Sequence, residues 1–385
     1  MRILMLISSP AITDPRLYNE ARALIEGGHK VSVIAWDRYR QLPSRESQGG
    51  IDIIRLRTSL PPQWGLSVPP WHAFHLLLWQ QQAYREALAL NKKSRFDAIH
   101  CHFLDTMPVG IRLKRQLGLP LIYDARDMYG YMMQASFPRW IARAFEWLER
   151  RLVMKADRVI VVNDVMAGCF ADMIKKPITV VMNCRPLQSR QYQGRLTTDK
   201  YTLLYIGTLH KSRDLPLLMN AVRDLFNVHC IIGGIGQSDY VEHIKKECGK
   251  IPNIAFIGAV PADMVLPLTV KADVIVSMFD PRNPNGKLAT PNKLFEAMAC
   301  GRPIICIRDT YCAEITEREM IGLAVEYSEE AFKKAIIRLR DDPQLREGLG
   351  RNALNAAITK YNWQIEQKKL LELYRGIHRS GINNT

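Results

Sequence analysis

The chain has 385 residues, of which 47% are hydrophobic and 24% charged, and a formal net charge of +15. A single core stops growing near roughly 250–300 residues, so two domains are expected, and the composition excludes collagenous, disordered and repeat architectures. The basic excess asks for an anionic partner, either nucleotide phosphates, an anionic membrane surface or nucleic acid. Nucleic acid is disfavoured, because there is no zinc-finger spacing, RNP motif or continuous basic helix. The eight cysteines include no C-x-x-C pair, and no secretory signal opens the chain. Reduced thiols and a cytoplasmic location are therefore expected. No apolar run reaches the roughly 18 residues that a membrane span requires.

In chain order, residues 2–8 form an apolar run that predicts a buried parallel strand. A loop over 9–15 follows, then a helix over 16–27 with Leu17, Ala21, Leu24 and Ile25 inward, closed by Gly27 and Gly28. Residues 30–37 predict a second strand. This order starts a doubly wound sheet, whose ligands lie at the carboxyl ends of the strands. The first loop lacks G-x-G-x-x-G, which disfavours a dinucleotide there and a nicotinamide dehydrogenase overall. Residues 64–89 carry Trp64, Trp71 and Trp79 and enter a helix. These aromatics fit either the core or contact with a membrane interface.

Residues 96–102 predict a strand ending on His102. Alternation puts His100 and His102 on one side and Cys101 on the other. Two histidines at this spacing can ligate a metal, but no third ligand is near in sequence. Residues 120–127 predict a strand with a polar edge, where Asp127 either binds a ligand hydroxyl or caps a loop. The helix predicted over 137–155 mixes Trp140, Ile141, Phe145, Trp147 and Leu148 with five basic residues. Such a helix can lie on an anionic membrane or pack its apolar stripe on the sheet. Residues 1–185 hold 26 Lys and Arg against 16 Asp and Glu, a skew expected of a membrane-facing domain. Strands over 157–163 and 178–183 end this half, and residues 186–200, without apolar period, read as a linker.

The second half alternates again: strands are predicted over 201–207, 228–233, 254–258 and 273–277, with helices between. That pattern makes a second parallel α/β domain. Gly233, Gly234 and Gly236 read as a flexible turn that lets backbone approach a phosphate or base, the other reading being glycines that close a strand. Residues 285–290 read as a loop. Next comes a helix opened by Pro291, with Leu294, Ala297 and Met298 at helical spacing and Gly301 and Pro303 stopping it. Lys293 and Glu296 fall in its first turns, beside free N–H groups and the positive end of the dipole, where phosphate binds readily. The other reading is a core helix whose charged residues face water. Residues 303–307 predict a strand, 328–360 a helix broken at Pro343, and 361–378 a final helix.

The segment from Pro291 to Pro303 fits the pattern P-x-K-x-x-E-x-M-A-x-G-x-P. It resembles the donor-site helix of family 4 glycosyltransferases, and weaker likeness runs from Ile3 to about Tyr374. The resemblance implies a GT-B fold of two Rossmann-like domains facing a cleft. Their bounds are 1–185 for the acceptor domain, 186–200 for the linker and 201–360 for the donor domain; a helix over 361–385 returns to the first. It implies a retaining, metal-independent hexosyl- or N-acetylhexosaminyltransferase, with no cofactor. A nucleotide-sugar donor, UDP favoured, would serve a glycan or lipid-linked acceptor in cell-surface polysaccharide or glycoconjugate synthesis, in the cytoplasm with peripheral contact at the inner face of the membrane. On this footing His102 contacts the transferred sugar, and Asp14, Arg16 and Asp127 face the acceptor. Gly207, Thr208, Arg213, Gly234, Thr290, Pro291, Asn292, Lys293 and Glu296 hold the donor, with Glu296 on the ribose diol. Thr208 stands where the family has an arginine and Arg213 where it has a lysine. Leu288 replaces a glutamate that many members place on the sugar. No carboxylate pair is set for a divalent ion beside the phosphate loop. Two alternatives are a GT-B nucleotide-sugar epimerase, for which no acid/base pair is visible, and a non-enzymatic polyanion-binding protein.

Overall fold

Short Ile-, Leu- and Val-rich runs, bounded by Gly, Pro and Asp, build two sheets whose inner strands are buried on both faces. The structure, a computed structural model, describes residues 1–11, 14–58, 71–134, 137–194 and 200–382, the side chains of Trp71 and residues 378–382 excepted. The chain forms two compact units, Met1–Val181 with Gln367–Thr385, and Met182–Glu366.

The first unit contains β1 (Arg2–Ile7), β2 (Lys30–Trp36), β3 (Arg45–Gln48), β4 (Ile51–Leu56), β5 (Ala98–His102), β6 (Leu121–Ala125), β7 (Arg158–Val161) and β8 (Ile178–Val180). Their order is β3-β4-β2-β1-β5-β6-β7-β8, with β3 and β4 antiparallel and every other pair parallel. The direction of winding reverses between β1 and β5, which makes the carboxyl ends of those strands the place for a ligand. The β3–β4 hairpin was not anticipated. Its edge strand is polar and carries no hydrophobic alternation, and Gly49 and Gly50 turn at φ 59° and 82°.

The second unit contains β9 (Tyr201–Leu209), β10 (Val228–Gly236), β11 (Ile254–Gly258), β12 (Val274–Ser277), β13 (Ile304–Ile307) and β14 (Gly322–Val325). The order β11-β10-β9-β12-β13-β14 is that of a doubly wound dinucleotide-type sheet, with its reversal between β9 and β12.

Several sequence expectations need correction. Gly233, Gly234 and Gly236 are not a turn but the end of β10, laddered to Ile206, Gly207 and Leu209 of β9. Glycine is required there by proximity: a Cβ on Gly234, at φ +145°, would lie 1.7 Å from the Gly207 carbonyl oxygen. The loop expected at 285–290 contains a helical turn, Pro284–Leu288, capped by the Asn283 side chain. Pro291 is the N-cap, not the first residue, of the helix Asn292–Ala299. Of the tryptophans, Trp79 is fully buried and stacks on Trp36 with ring centroids 5.8 Å apart; Trp64 and the Trp71 side chain lie outside the described residues.

Candidate active site

In the second unit, the site begins at the carboxyl end of β9. Lys293 lies in the first turn of the helix Asn292–Ala299 and is 8% exposed. Its Nζ stands 4.1 Å from the centroid of the Tyr205 ring. The same nitrogen crowds Gly207 so closely that a Cβ there would meet it at 2.3 Å. A side chain at position 207 would therefore displace the lysine. Arg213, in the turn Lys211–Arg213 after β9, lays its guanidinium carbon 3.7 Å from the Phe279 ring centroid. Burial, then repulsion from Arg213, lowers the Lys293 pKa to about 7. Nζ makes no hydrogen bond or ion pair among the described residues. Two neighbouring cations thus meet at a helix N-terminus, where an anion would relieve their repulsion.

The remaining donor candidates are distributed around this point. Gly234 pairs with Gly207 in the sheet, and Thr208 is exposed with its carbonyl accepting from the Tyr205 hydroxyl at 2.8 Å. Thr290 and Pro291 are buried, Asn292 is exposed and Leu288 is half-buried. Glu296 is 5% exposed and, one turn beyond Lys293, forms an ion pair with Arg185 through Oε1. Sequence reasoning missed Arg185, since nothing in spacing brings residue 185 to residue 296.

The first unit holds a different constellation at its own winding reversal. His102 ends β5 beside Asp124 of β6, its direct register partner, and its Nδ1 lies 2.9 Å from Asp124 Oδ2. Arg16 grips both Asp124 oxygens and also reaches the Val181 carbonyl at 2.7 Å. Arg126 bridges Asp124 and Asp14, and Asp14 also caps the helix Pro15–Glu26 by accepting from Leu17 N–H. Burial opposes ionisation of Asp124, but Arg16, His102 and Arg126 together hold its carboxyl well below the usual range. His102 Nδ1 also lies 2.9 Å from Arg126 Nη2, a group that only donates, and burial lowers the His102 pKa, which favours the neutral ring.

Two guanidiniums are matched by Asp14 and Asp124, leaving Glu20 as the surplus carboxyl. Burial and the Asp124 charge raise its pKa to about 8, so it is largely protonated at neutral pH. His100 stacks on His102 with ring centroids 4.4 Å apart, and its Nδ1 lies 2.8 Å from the Tyr374 hydroxyl. Glu20, His100, His102 and Asp124 present ligand atoms within 4.8 Å of one another. The third and fourth candidate ligands that sequence distance concealed are thus Glu20 and Asp124. The guanidiniums of Arg16 and Arg126 already occupy Asp124, and that of Arg16 stands 2.9 Å from Glu20 Oε1, so they supply the positive charge a metal would bring. Arg16 is a buried structural partner in this arrangement, at 6% exposure. Asp127 is half-buried in the turn between β6 and the helix Tyr129–Gln134.

Comparison with known proteins now bears on these two sites. A family model described as "Glycosyl transferase 4-like domain" matches residues 13–184, and one described as "Glycosyl transferases group 1" matches residues 200–342. The chain is a group 1 glycosyltransferase of the GT-B fold. This glycosyltransferase is 23% identical to an uncharacterised glycosyltransferase of Methanocaldococcus jannaschii over 92% of both chains. It superposes on a sucrose-phosphate synthase from Thermosynechococcus elongatus with a TM-score of 0.80 and 18% identity, covering 99% of this chain and 100% of that one. An Anabaena protein, HepE, solved in complex with UDP-glucose, matches with a TM-score of 0.74 and 14% identity over 98% of this chain and 100% of its own. Among the described residues, no helix of the glycosyltransferase is long and apolar enough to cross a membrane.

Proposed function

We propose that this glycosyltransferase moves a hexosyl or N-acetylhexosaminyl group from a nucleoside-diphosphate sugar, UDP favoured, with retention and without a metal. The acceptor is a glycan or lipid-linked hydroxyl in cell-surface polysaccharide or glycoconjugate synthesis. The carrying observation is the Lys293 ammonium, buried against Gly207 and Tyr205 beside Arg213 and making no ion pair among the described residues. A diphosphate supplies an anionic partner. In the reaction, the bond from the sugar C1 to the β-phosphate oxygen breaks and the acceptor oxygen bonds C1 on the same face. The hydroxyl proton passes to the leaving phosphate. Lys293, Arg213 and the helix N–H groups stabilise the charge that grows on the diphosphate, the role a divalent ion fills elsewhere. His102, oriented by Asp124, is the first unit's hydrogen-bonding contact for the sugar. The preference for UDP is supported by the structural relative solved with UDP-glucose.

The test is thermal melting in excess EDTA with UDP, GDP, dTDP and ADP. UDP at about 100 times its dissociation constant should stabilise by about 2.7 kcal/mol. No response to any nucleoside diphosphate would remove the donor site from the second unit.

The same reading places the first unit on an anionic membrane. In the helix Arg139–Val153, Ala142, Glu149 and Val153 are buried while Trp140, Arg143, Ala144, Trp147, Leu148 and Arg151 share one exposed face. Trp140 is 72% and Trp147 57% exposed, and Arg151 covers the Trp147 ring at 4.4 Å. Aromatics with flanking arginines suit a lipid headgroup layer, each cation adding about 1 kcal/mol near an anionic surface. In low-salt flotation the protein should rise with phosphatidylglycerol vesicles and stay down with phosphatidylcholine alone. Replacing Trp140 and Trp147 by alanine should abolish flotation, and a wild-type protein indifferent to anionic vesicles would end the membrane assignment.

A further inference from the structure

Arg185 and Glu296 are 111 residues apart in sequence, yet their side chains are only 12% and 6% exposed and form one ion pair. Arg185 does not fork across the carboxylate. Its Nε, at 3.2 Å, and its Nη2 both donate to Oε1. Oε2 has no partner among the described residues and is not sealed from solvent. The arginine backbone is itself anchored, its carbonyl accepting from the N–H of Trp363, a residue 7% exposed. Glu296 also acts electrostatically on Lys293, one turn earlier on the helix.

We infer that Arg185 is a positioning residue which holds Glu296 by one oxygen, presents the other to a ribose diol, and so makes the donor site selective for ribonucleotides over 2′-deoxyribonucleotides. The inference rests on the donor reading above and adds to it a residue outside the motif. Two physical reasons support it. First, a carboxylate beside the diphosphate site would repel the incoming anion, and a guanidinium fixed on Oε1 cancels that charge without occupying Oε2. Second, a carboxylate oxygen already oriented accepts a hydroxyl proton without first losing rotamer freedom. A hydrogen bond to an ionised acceptor is worth enough to separate the two sugars by about tenfold or more.

The experiment measures calorimetric binding of UDP against 2′-deoxy-UDP and of GDP against 2′-deoxy-GDP. The proteins are wild type, Arg185→Met, Arg185→Lys and Glu296→Gln, each checked for an unchanged melting transition without ligand. The expected result is a ribonucleotide preference of about tenfold or more in wild type, near unity in Arg185→Met and Glu296→Gln, and partly restored in Arg185→Lys. An Arg185→Met protein that keeps the full preference would overturn the inference and leave the donor site standing. Equal weakening of ribo- and deoxyribonucleotides would also overturn it, since that is what a merely structural arginine predicts. Failure of wild type to bind any of the four nucleotides would overturn the donor reading and this inference together.

Discussion

Replacing Lys293 by methionine is expected to cost about 2–5 kcal/mol of donor binding, or roughly 30- to several-thousand-fold in affinity, while the ligand-free protein becomes no less stable. The two effects separate because the lysine is poorly placed until an anion arrives. In the free protein its ammonium is buried, faces Arg213 and makes no ion pair among the described residues. Methionine fills similar space against Tyr205 and Gly207 without that desolvation cost. The titration gives a second signature. The folded pKa is about 7 against an ordinary 10.5, so between those values the unfolded chain binds more protons. Stability from this group therefore rises with pH across that window. Donor binding should reverse the shift by restoring the ammonium. At pH 8 binding should take up as much as one proton, read as the dependence of calorimetric heat on buffer ionisation enthalpy. Near pH 6, uptake at this group should fall towards zero, and Lys293→Met should show none at either pH. Uptake at pH 8 that survives the substitution would assign the proton elsewhere.

The second large effect is a contrast between two neighbouring carboxyls changed in the same way. Asp124→Asn should destabilise the first unit by about 3–5 kcal/mol, because it leaves the buried guanidiniums of Arg16 and Arg126 without their shared counter-charge. Glu20→Gln, also fully buried and within the same cluster, should not destabilise at pH 7 and should gain on wild type there, because the folded state keeps Glu20 largely protonated while the unfolded chain has released that proton. The sign of the pH dependence follows. Glu20 has a folded pKa of about 8 against 4.5, so the folded state holds a proton that the unfolded state has released. Its contribution therefore falls as pH rises from about 4.5 to 8, and Glu20→Gln should remove that slope. Urea unfolding of the two variants across pH 5–9 measures both quantities. Equal losses in the two would mean that Glu20 is ionised and paired in the native state.

Much of the fold was readable because its signals are local. A buried parallel strand needs a short apolar run, and the runs ending at Ile7 and His102 and the one at Ile254–Gly258 all formed strands. Pro343 broke the penultimate helix as expected, starting a new one capped by Asp342. The polar strand β3 left no such signal, since an edge strand that avoids aggregation does so by lacking hydrophobic alternation. The end of β10 was misread for a related reason. Glycines usually announce a turn, yet here they mark where the Gly207 carbonyl of the neighbouring strand leaves no room for a Cβ.

The amino-acid sequence by itself determined the alternation of strands and helices, the two-unit organisation, and the motif that sets Lys293 and Glu296 one turn apart at a helix start. Those properties depend on spacing along the chain. Only the tertiary structure decided that Glu296 is held by Arg185, that Lys293 stands against Gly207, and that His102 is oriented by Asp124 under Arg16 and Arg126. Apart from Arg126 and Asp124, these relations join residues 22 to 111 positions apart, through strand order and the burial of charge. Sheet neighbours are chosen by the packing of the whole layer, and a buried charge takes its partner from whatever that packing brings within reach.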